Sequence, residues 1–315
     1  MAPVRGQREP SLSMCGIVGL FLKDDRLQPE LGALLAPMLI GMEERGPDSA
    51  GIAIYRDRAP DGAVKMTLFH PDPDFAWRGL VHHLRDDLGV AAAGEARASH
   101  FVMTVQVSAE IVRRWLAHHY PEARIMGLGE RIELYKEKGL PSEVVARFAL
   151  AEMGGTHAVG HTRMATESAV TTEHSHPFST GLDLCLVHNG SLSNHNRLRA
   201  WLARHGIAFQ TDNDTEVAAG YFTHRLRQGD SLDQALEAGL RDLDGFYTFA
   251  VGTKDGFAVV RDSFACKPAV LAETEEWVAM ASEYRSIAHL PGAREARIWE
   301  PEPATVYSWS RPLAS

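Results

Sequence analysis

Cysteine is scarce. The 315 residues hold three, Cys15, Cys185 and Cys266, far apart and without C-x-x-C spacing. That excludes a disulfide framework and argues against a cysteine-ligated zinc or iron–sulfur centre made by this chain alone. Free thiols suit a cytoplasmic protein. No run of 18 apolar residues occurs, so no membrane-spanning helix is expected. Basic charge is in deficit, with 32 Lys and Arg against 41 Asp and Glu and a formal charge of −9. Such a chain lacks the clustered cations that nucleic acid or an anionic membrane surface requires. The first 14 residues, MAPVRGQREPSLSM, lack the apolar core of a secretory signal and read as a disordered extension. Repeats and low-complexity tracts are absent. Gly154-Gly155 lacks the strand, Gly-rich loop and Lys of a phosphate loop.

What is present is an ordinary globular composition, 45% apolar and 23% charged. At about 150 residues per domain, the length suggests one large domain or two. From Cys15, CGIVGLF reads as a buried strand. Leu31, Leu34, Leu35, Met38, Leu39 and Met42 predict an amphipathic helix over 30–43. GIAIY and VKMTLF read as strands, with EERGPDSAG as a turn before them. Phe101, Met103, Val105 and Val107 alternate as in a half-buried strand. Helices are expected at 108–118, with Ile111, Val112, Trp115 and Leu116 on one side, and at 142–153. Segment 73–155 therefore reads as a possible helical insertion, or as helices covering a sheet. Further on, HAVGHTR, DLCLVHN, FYTFAVG, FAVVR and WVAMA predict strands. Helices fall at about 194–205, 215–227 and 232–241, the last opened by a Ser231–Gln234 capping box. Strand clusters with helices between them favour layered α+β packing.

Several residues carry chemistry. Cys15 follows Met14 and opens a strand. A buried small hydrophobe is the ordinary use of such a cysteine. If Met14 starts the chain and is removed, however, the Cys15 thiol and a free α-amino group share one residue. That amine, with a pKa of about 7.7–8.0, accepts the thiol proton and yields a nucleophile without a histidine base. Arg163 ends a predicted strand in GHTRMAT, where it suits either a surface ion pair or a bidentate carboxylate. Asn189-Gly190 in HNGSLSNHN is either a tight turn or a pair of oxyanion donors. The acids of TDNDTEV are helix caps, or leave one carboxylate for a substrate ammonium. Glu173, His174 and His176 in TTEHSHPF suggest a metal site, since a His pair at i, i+2 suits strand-borne ligands, but no further ligand is evident and no metal site is expected. His82-His83 and His118-His119 read as solvated faces.

The ordered set CGIVG, RGPDSAG, GHTRMAT, HNG and TDNDTEV resembles the class II glutamine amidotransferase domain of the N-terminal-nucleophile fold. The resemblance runs from Cys15 to about residue 308, with 309–315 as a tail; GFYTFAV, RDSFACKPAVL and ASEYRSI resemble its later strands and turns. It implies a four-layer αββα sandwich of two stacked, mainly antiparallel sheets. It assigns Cys15 to attack on the glutamine amide, and Asn189 and Gly190 to the oxyanion hole. Arg163 with Thr166 would hold the substrate carboxylate, and Asp214 its ammonium. Arg45, Gly46, Asp48 and Ser49 match a turn that packs near the nucleophile. Met164 stands where relatives often carry an aromatic residue. The resemblance also implies that residues 1–14 are absent from, or cleaved off, the mature protein.

Relatives that fuse this domain to a synthase spend further domains on sugar phosphate, ATP or flavin. This chain most resembles separately encoded amidotransferase subunits of split glutamate-synthase-like systems, including N-methylglutamate synthase. L-glutamine would be the substrate. No cofactor is expected in this chain, and flavin and iron–sulfur centres would belong to partner subunits. The 73–155 segment is a candidate docking surface. The alternatives are another N-terminal-nucleophile amidohydrolase, or a non-catalytic assembly subunit of the same fold.

Overall fold

The apolar run after Cys15 divides its side chains between two layers. A computed structural model describes residues 15–165 and 170–311. In its first strand, β1 (Gly16–Leu22), Val18, Leu20 and Leu22 pack with the helix that follows. Ile17 and Phe21 point to the opposite side, against a second sheet. A period of two with both faces apolar is what a strand buried between layers requires.

The chain continues through α1 (Leu31–Ile40), β2 (Ser49–Tyr55), β3 (Val64–Phe69), α2 (Trp77–Leu88), β4 (Ala92–Arg97) and β5 (His100–Val105). Next come α3 (Ala109–His119), β6 (Arg124–Gly129), β7 (Ile132–Lys138), α4 (Pro141–Arg147) and β8 (His157–Arg163). β9 (Cys185–Leu192) precedes three helices, α5 (His195–Arg204), α6 (Asp214–Arg227) and α7 (Leu232–Asp242). The chain closes with β10 (Gly245–Gly252), β11 (Gly256–Arg261), β12 (Val270–Glu273), β13 (Trp277–Ala281), β14 (Arg297–Trp299) and β15 (Val306–Ser310).

Seven strands form one sheet in the order β14-β12-β13-β1-β8-β2-β7, and four form another, β15-β11-β10-β9. Neighbours pair antiparallel throughout. Ile17, Val159, Val187, Phe257 and Val278 fill the space between the sheets. α1 and α4 cover the outer face of the larger sheet, and α5–α7 that of the smaller. The result is the expected αββα sandwich. None of the described helices is long and apolar enough to cross a membrane.

Of the two readings of segment 73–155, the structure has helices covering a sheet rather than a helical insertion. A third antiparallel sheet, β4-β5-β3-β6, begins upstream at Val64 and carries α2 and α3 on one face. Alternation marked β5 as a strand, but its partner β3 pairs through contacts such as Val64 with Val105, far beyond the reach of periodicity. The helix expected over 142–153 breaks after Arg147. Ala149 takes a left-handed conformation at φ +51°, and Leu150–Glu152 form a separate 3-10 turn. Ile111 does not share the buried face of α3; it is exposed, while Val112, Trp115 and Leu116 are buried. One residue earlier in a helix is rotated by about 100°. The boundary expected at 308 falls inside β15, which pairs with β11 through Trp309 and Ser310. Residues 1–14 and 312–315 lie outside the described residues.

Candidate active site

Cys15 sits at the mouth of the sandwich, where β1 and β8 meet β9. Its Sγ lies 3.9 Å from the Met164 carbonyl oxygen. Its own carbonyl is gripped from two directions. Asn189 Nδ2 donates to it at 3.1 Å, and Arg45 donates through Nε and Nη2, both at 3.3 Å. Arg45 is held in turn by Glu283, 2.7 Å from Nη1. Burial pushes the Cys15 thiol above its ordinary pKa, while the Arg163 and Lys267 charges pull the other way. A thiol so placed needs a base to become a nucleophile.

The RGPDS turn reaches the same place. Asp48 accepts from Ala165 N at 2.8 Å, and its own N–H donates to the Arg163 carbonyl at 3.1 Å. The turn thus fixes the chain segment that faces the sulfur. Gly46 allows this approach, since a Cβ there would lie 2.4 Å from the Thr162 carbonyl carbon. Ser49 is buried opposite Arg163 in the β2–β8 register. Arg163 is itself buried at the end of β8. Thr166 lies outside the described residues.

Asn189-Gly190 is not a tight turn. Both residues lie within β9, paired with Thr248 and Tyr247 of β10. Gly190 has φ +148°, and a Cβ there would stand 1.8 Å from the Phe246 carbonyl oxygen, so only glycine fits. The Asn189 amide has two N–H groups. One serves the Cys15 carbonyl, leaving a second donor for a ligand oxygen.

The acids of TDNDTEV divide their work. Asn213 caps α6, accepting from Thr215 N at 2.8 Å. Glu216 accepts from Gln210 N and Thr211 N in the preceding loop. Asp214 is spared these tasks and reaches β9, where Oδ2 accepts from Leu192 N at 2.8 Å. Its Oδ1 stands 3.8 Å from His188 Nδ1. One carboxylate is thereby aimed at the strand that carries Asn189 and Gly190.

Sequence reasoning did not assign Glu283, Thr215, His161 or His188 to this region. HNG and GHTR contain the two histidines, but nothing in those strings says which way a ring points. Among the described residues no group of three His, Cys, Asp or Glu is placed to hold a metal ion. A cavity of about 1080 Å3, lined by Lys23, Arg58, Lys254 and Arg311 among others, lies at the far end of β1. It holds no cysteine, so the chemistry and not the volume marks the site.

Comparison with known proteins agrees with this geometry. A family model described as a glutamine amidotransferase domain matches residues 161–289. The glutamine amidotransferase-like protein GlxB of Rhizobium meliloti is 57% identical over 303 residues, covering 96% of this chain and 100% of the relative. This chain belongs to the glutamine amidotransferase family. A putative glutamine amidotransferase of Methanothermobacter thermautotrophicus is 30% identical across 93% of the amidotransferase chain and 99% of its own. In fold, this amidotransferase is similar to the glutamine phosphoribosylpyrophosphate amidotransferase from B. subtilis, with TM-score 0.58 at 20% identity. It is also similar to an allosteric regulatory enzyme of purine biosynthesis, with TM-score 0.61 at 22% identity. The alignments cover 94% of this chain but 49% and 47% of those two, so the likeness is one of fold across about half of each larger protein.

Proposed function

We propose that this amidotransferase hydrolyses L-glutamine to L-glutamate and ammonia through a thioester on Cys15. The observation that carries the reading is the convergence of the Asn189 amide and the Arg45 guanidinium on Cys15 itself. In this reading the active chain begins at Cys15. Its free α-amino group takes the thiol proton, because burial keeps the thiol protonated and no imidazole contacts the sulfur among the described residues. Sulfur attacks the side-chain amide carbon. The oxyanion that forms is held by the second Asn189 N–H and by Gly190 N–H. The C–N bond breaks and ammonia leaves with the proton returned by the amine. Water then cleaves the thioester to release glutamate and restore the thiol. Arg163, with Thr166, holds the α-carboxylate, and Asp214 holds the α-ammonium.

Ammonia released into neutral water becomes ammonium and is no longer a nucleophile. The reading therefore extends to a separate synthase of the glutamate-synthase or N-methylglutamate-synthase type that takes up the nitrogen. Flavin and iron–sulfur centres belong to that partner. Two relatives matched across nearly their whole length support a subunit of this extent. The decisive experiment prepares the protein with Cys15 as its first residue and, separately, with residues 1–14 retained. Glutamate release is expected only from the first. Equal release from both would overturn the role of the amine. Release that stays unchanged on adding a candidate synthase and its acceptor would exclude that synthase as partner.

A further inference from the structure

Three imidazoles lie buried beneath the Asn189–Gly190 step, and the reaction as written uses none of them. His161 and His176 stack with centroids 4.0 Å apart. His161 Nε2 meets the His188 carbonyl at 3.0 Å. A carbonyl only accepts, so His161 carries its proton on Nε2. Thr215 Oγ1 stands between the other two rings, 2.8 Å from His176 Nε2 and 3.0 Å from His188 Nδ1. One hydroxyl has one proton to donate. Among the described residues His188 Nε2 makes no hydrogen bond, but it and the Phe246 carbonyl oxygen flank the same side of Gly190, 2.8 and 1.8 Å from where a Cβ would stand, which favours a proton on Nε2. His188 Nδ1, at 3.0 Å, then accepts from Thr215 in preference to Asp214 Oδ1 at 3.5 Å, and Thr215 accepts from His176 Nε2–H. Burial keeps all three rings neutral by pushing their pKa values down, to about 3 for His161.

The ring of His188 abuts Gly190: a Cβ at Gly190 would lie 2.8 Å from His188 Nε2. The path of the backbone at Gly190 thus depends on where that ring sits. On the other side of Gly190, Asp214 holds Leu192 N. β9 and the start of α6 are therefore fastened at two points that flank the glycine, and both fastenings come from adjacent residues, Asp214 and Thr215.

We propose that Thr215 is a positioning residue, whose hydroxyl clamps the His188 ring and so sets Gly190 in register with Asp214. Thr215 touches no reacting atom; it acts through His188. The inference rests on the reading of Gly190 as an oxyanion donor and of Asp214 as the ammonium partner. A displaced oxyanion donor weakens the transition state more than the bound ground state.

The test compares Thr215→Val, which keeps the shape, with Thr215→Ser, which keeps the hydroxyl, in the protein beginning at Cys15. Thr215→Val is expected to lower kcat for glutamine by about ten- to a hundredfold, with KM within about threefold of wild type. Thr215→Ser is expected to restore kcat to within about threefold. Imidazole nitrogen NMR supplies a second readout. Wild type should show neutral His188 protonated on Nε2, and Thr215→Val should shift the His188 and His176 signals. Wild-type kcat in Thr215→Val, equal losses in the Val and Ser variants, or unmoved imidazole signals would each overturn the proposal. Should Thr215→Val not fold, Thr215→Ala takes its place with the same expectations. If wild type releases no glutamate, the reading of the site falls, and the imidazole signals still decide whether Thr215 clamps His188.

Discussion

Two polar clusters are buried in this molecule, and they are finished differently. Around Glu133, no buried polar side-chain atom of the cluster is left without a partner among the described residues. Its carboxylate meets Lys65 Nζ at 3.2 Å, Arg56 Nη1 at 3.1 Å and the Tyr135 hydroxyl at 2.7 Å. Lys65 Nζ also donates to the Asp57 carbonyl, and Arg56 Nε to the Gly154 carbonyl. This cluster joins β3 of the third sheet to β7 of the larger one. Around His188, valences are left over. Among the described residues, His161 Nδ1, His176 Nδ1, His188 Nε2 and Ser49 Oγ are buried without a partner. Each such atom costs on the order of 1–3 kcal/mol. A network closed on itself holds layers together. One left open, beside a thiol and at the ends of β8 and β9, belongs where a reaction is carried out.

The comparison breaks if the open cluster proves dispensable. Cys15→Ala should abolish glutamate release while far-UV circular dichroism stays unchanged, and Cys15→Ser should fall far short of wild type. Wild-type turnover in Cys15→Ala would refute the site. Next in size, Asn189→Ala should lower kcat by about 10²–10³, the usual loss for one oxyanion donor. Asp214→Ala should instead act on binding, by about 2–5 kcal/mol read as a rise in KM for glutamine. Unchanged KM would remove Asp214 from the ammonium.

The closed cluster should respond in stability and not in turnover. Glu133→Gln is expected to cost about 3 kcal/mol in urea unfolding at neutral pH, because Lys65 is left buried without its counter-charge. Burial works to raise the Glu133 pKa, but Lys65 and Arg56 overcome it and hold the carboxyl below its ordinary 4.5. A depressed carboxyl stabilises the fold above its unfolded value, and that contribution is lost as pH falls through the folded one. The gap between wild type and Glu133→Gln should therefore narrow as pH drops below about 4.5. A gap independent of pH would show that the ion pairs are not its source. Smallest of all, Ser231→Ala removes the N-terminal cap of α7, where Ser231 and Gln234 bond reciprocally. It should cost about 1 kcal/mol and leave kcat and KM unchanged.

Much of this was legible in the string of residues. HAVGHTR and WVAMA match β8 and β13 residue for residue, because buried apolar runs bounded by turns have few other readings. The Ser231 cap was visible because it joins neighbours three apart. β7 was not recognised as a strand: IELYKEK places Glu and Lys where a core strand is expected to be apolar, and the ion pairs that make this tolerable come from Lys65 of β3 and from Arg56, just past the end of β2. Glu283 was read as part of a turn, since its partner Arg45 lies 238 residues away.

The amino-acid order by itself determined the elements, the apolar stripes that layer them, and the types of residue gathered into motifs, since each depends on neighbours within a few positions. Only the tertiary structure decided that Asp214, and not the other acids of TDNDTEV, reaches β9, and that Thr215 stands between two imidazoles. It also decided that the long segment after β2 builds a third sheet beneath α2 and α3. Those outcomes depend on which strand lies beside which and which way each ring turns. Such contacts form between residues tens to hundreds of positions apart, and no local spacing encodes them.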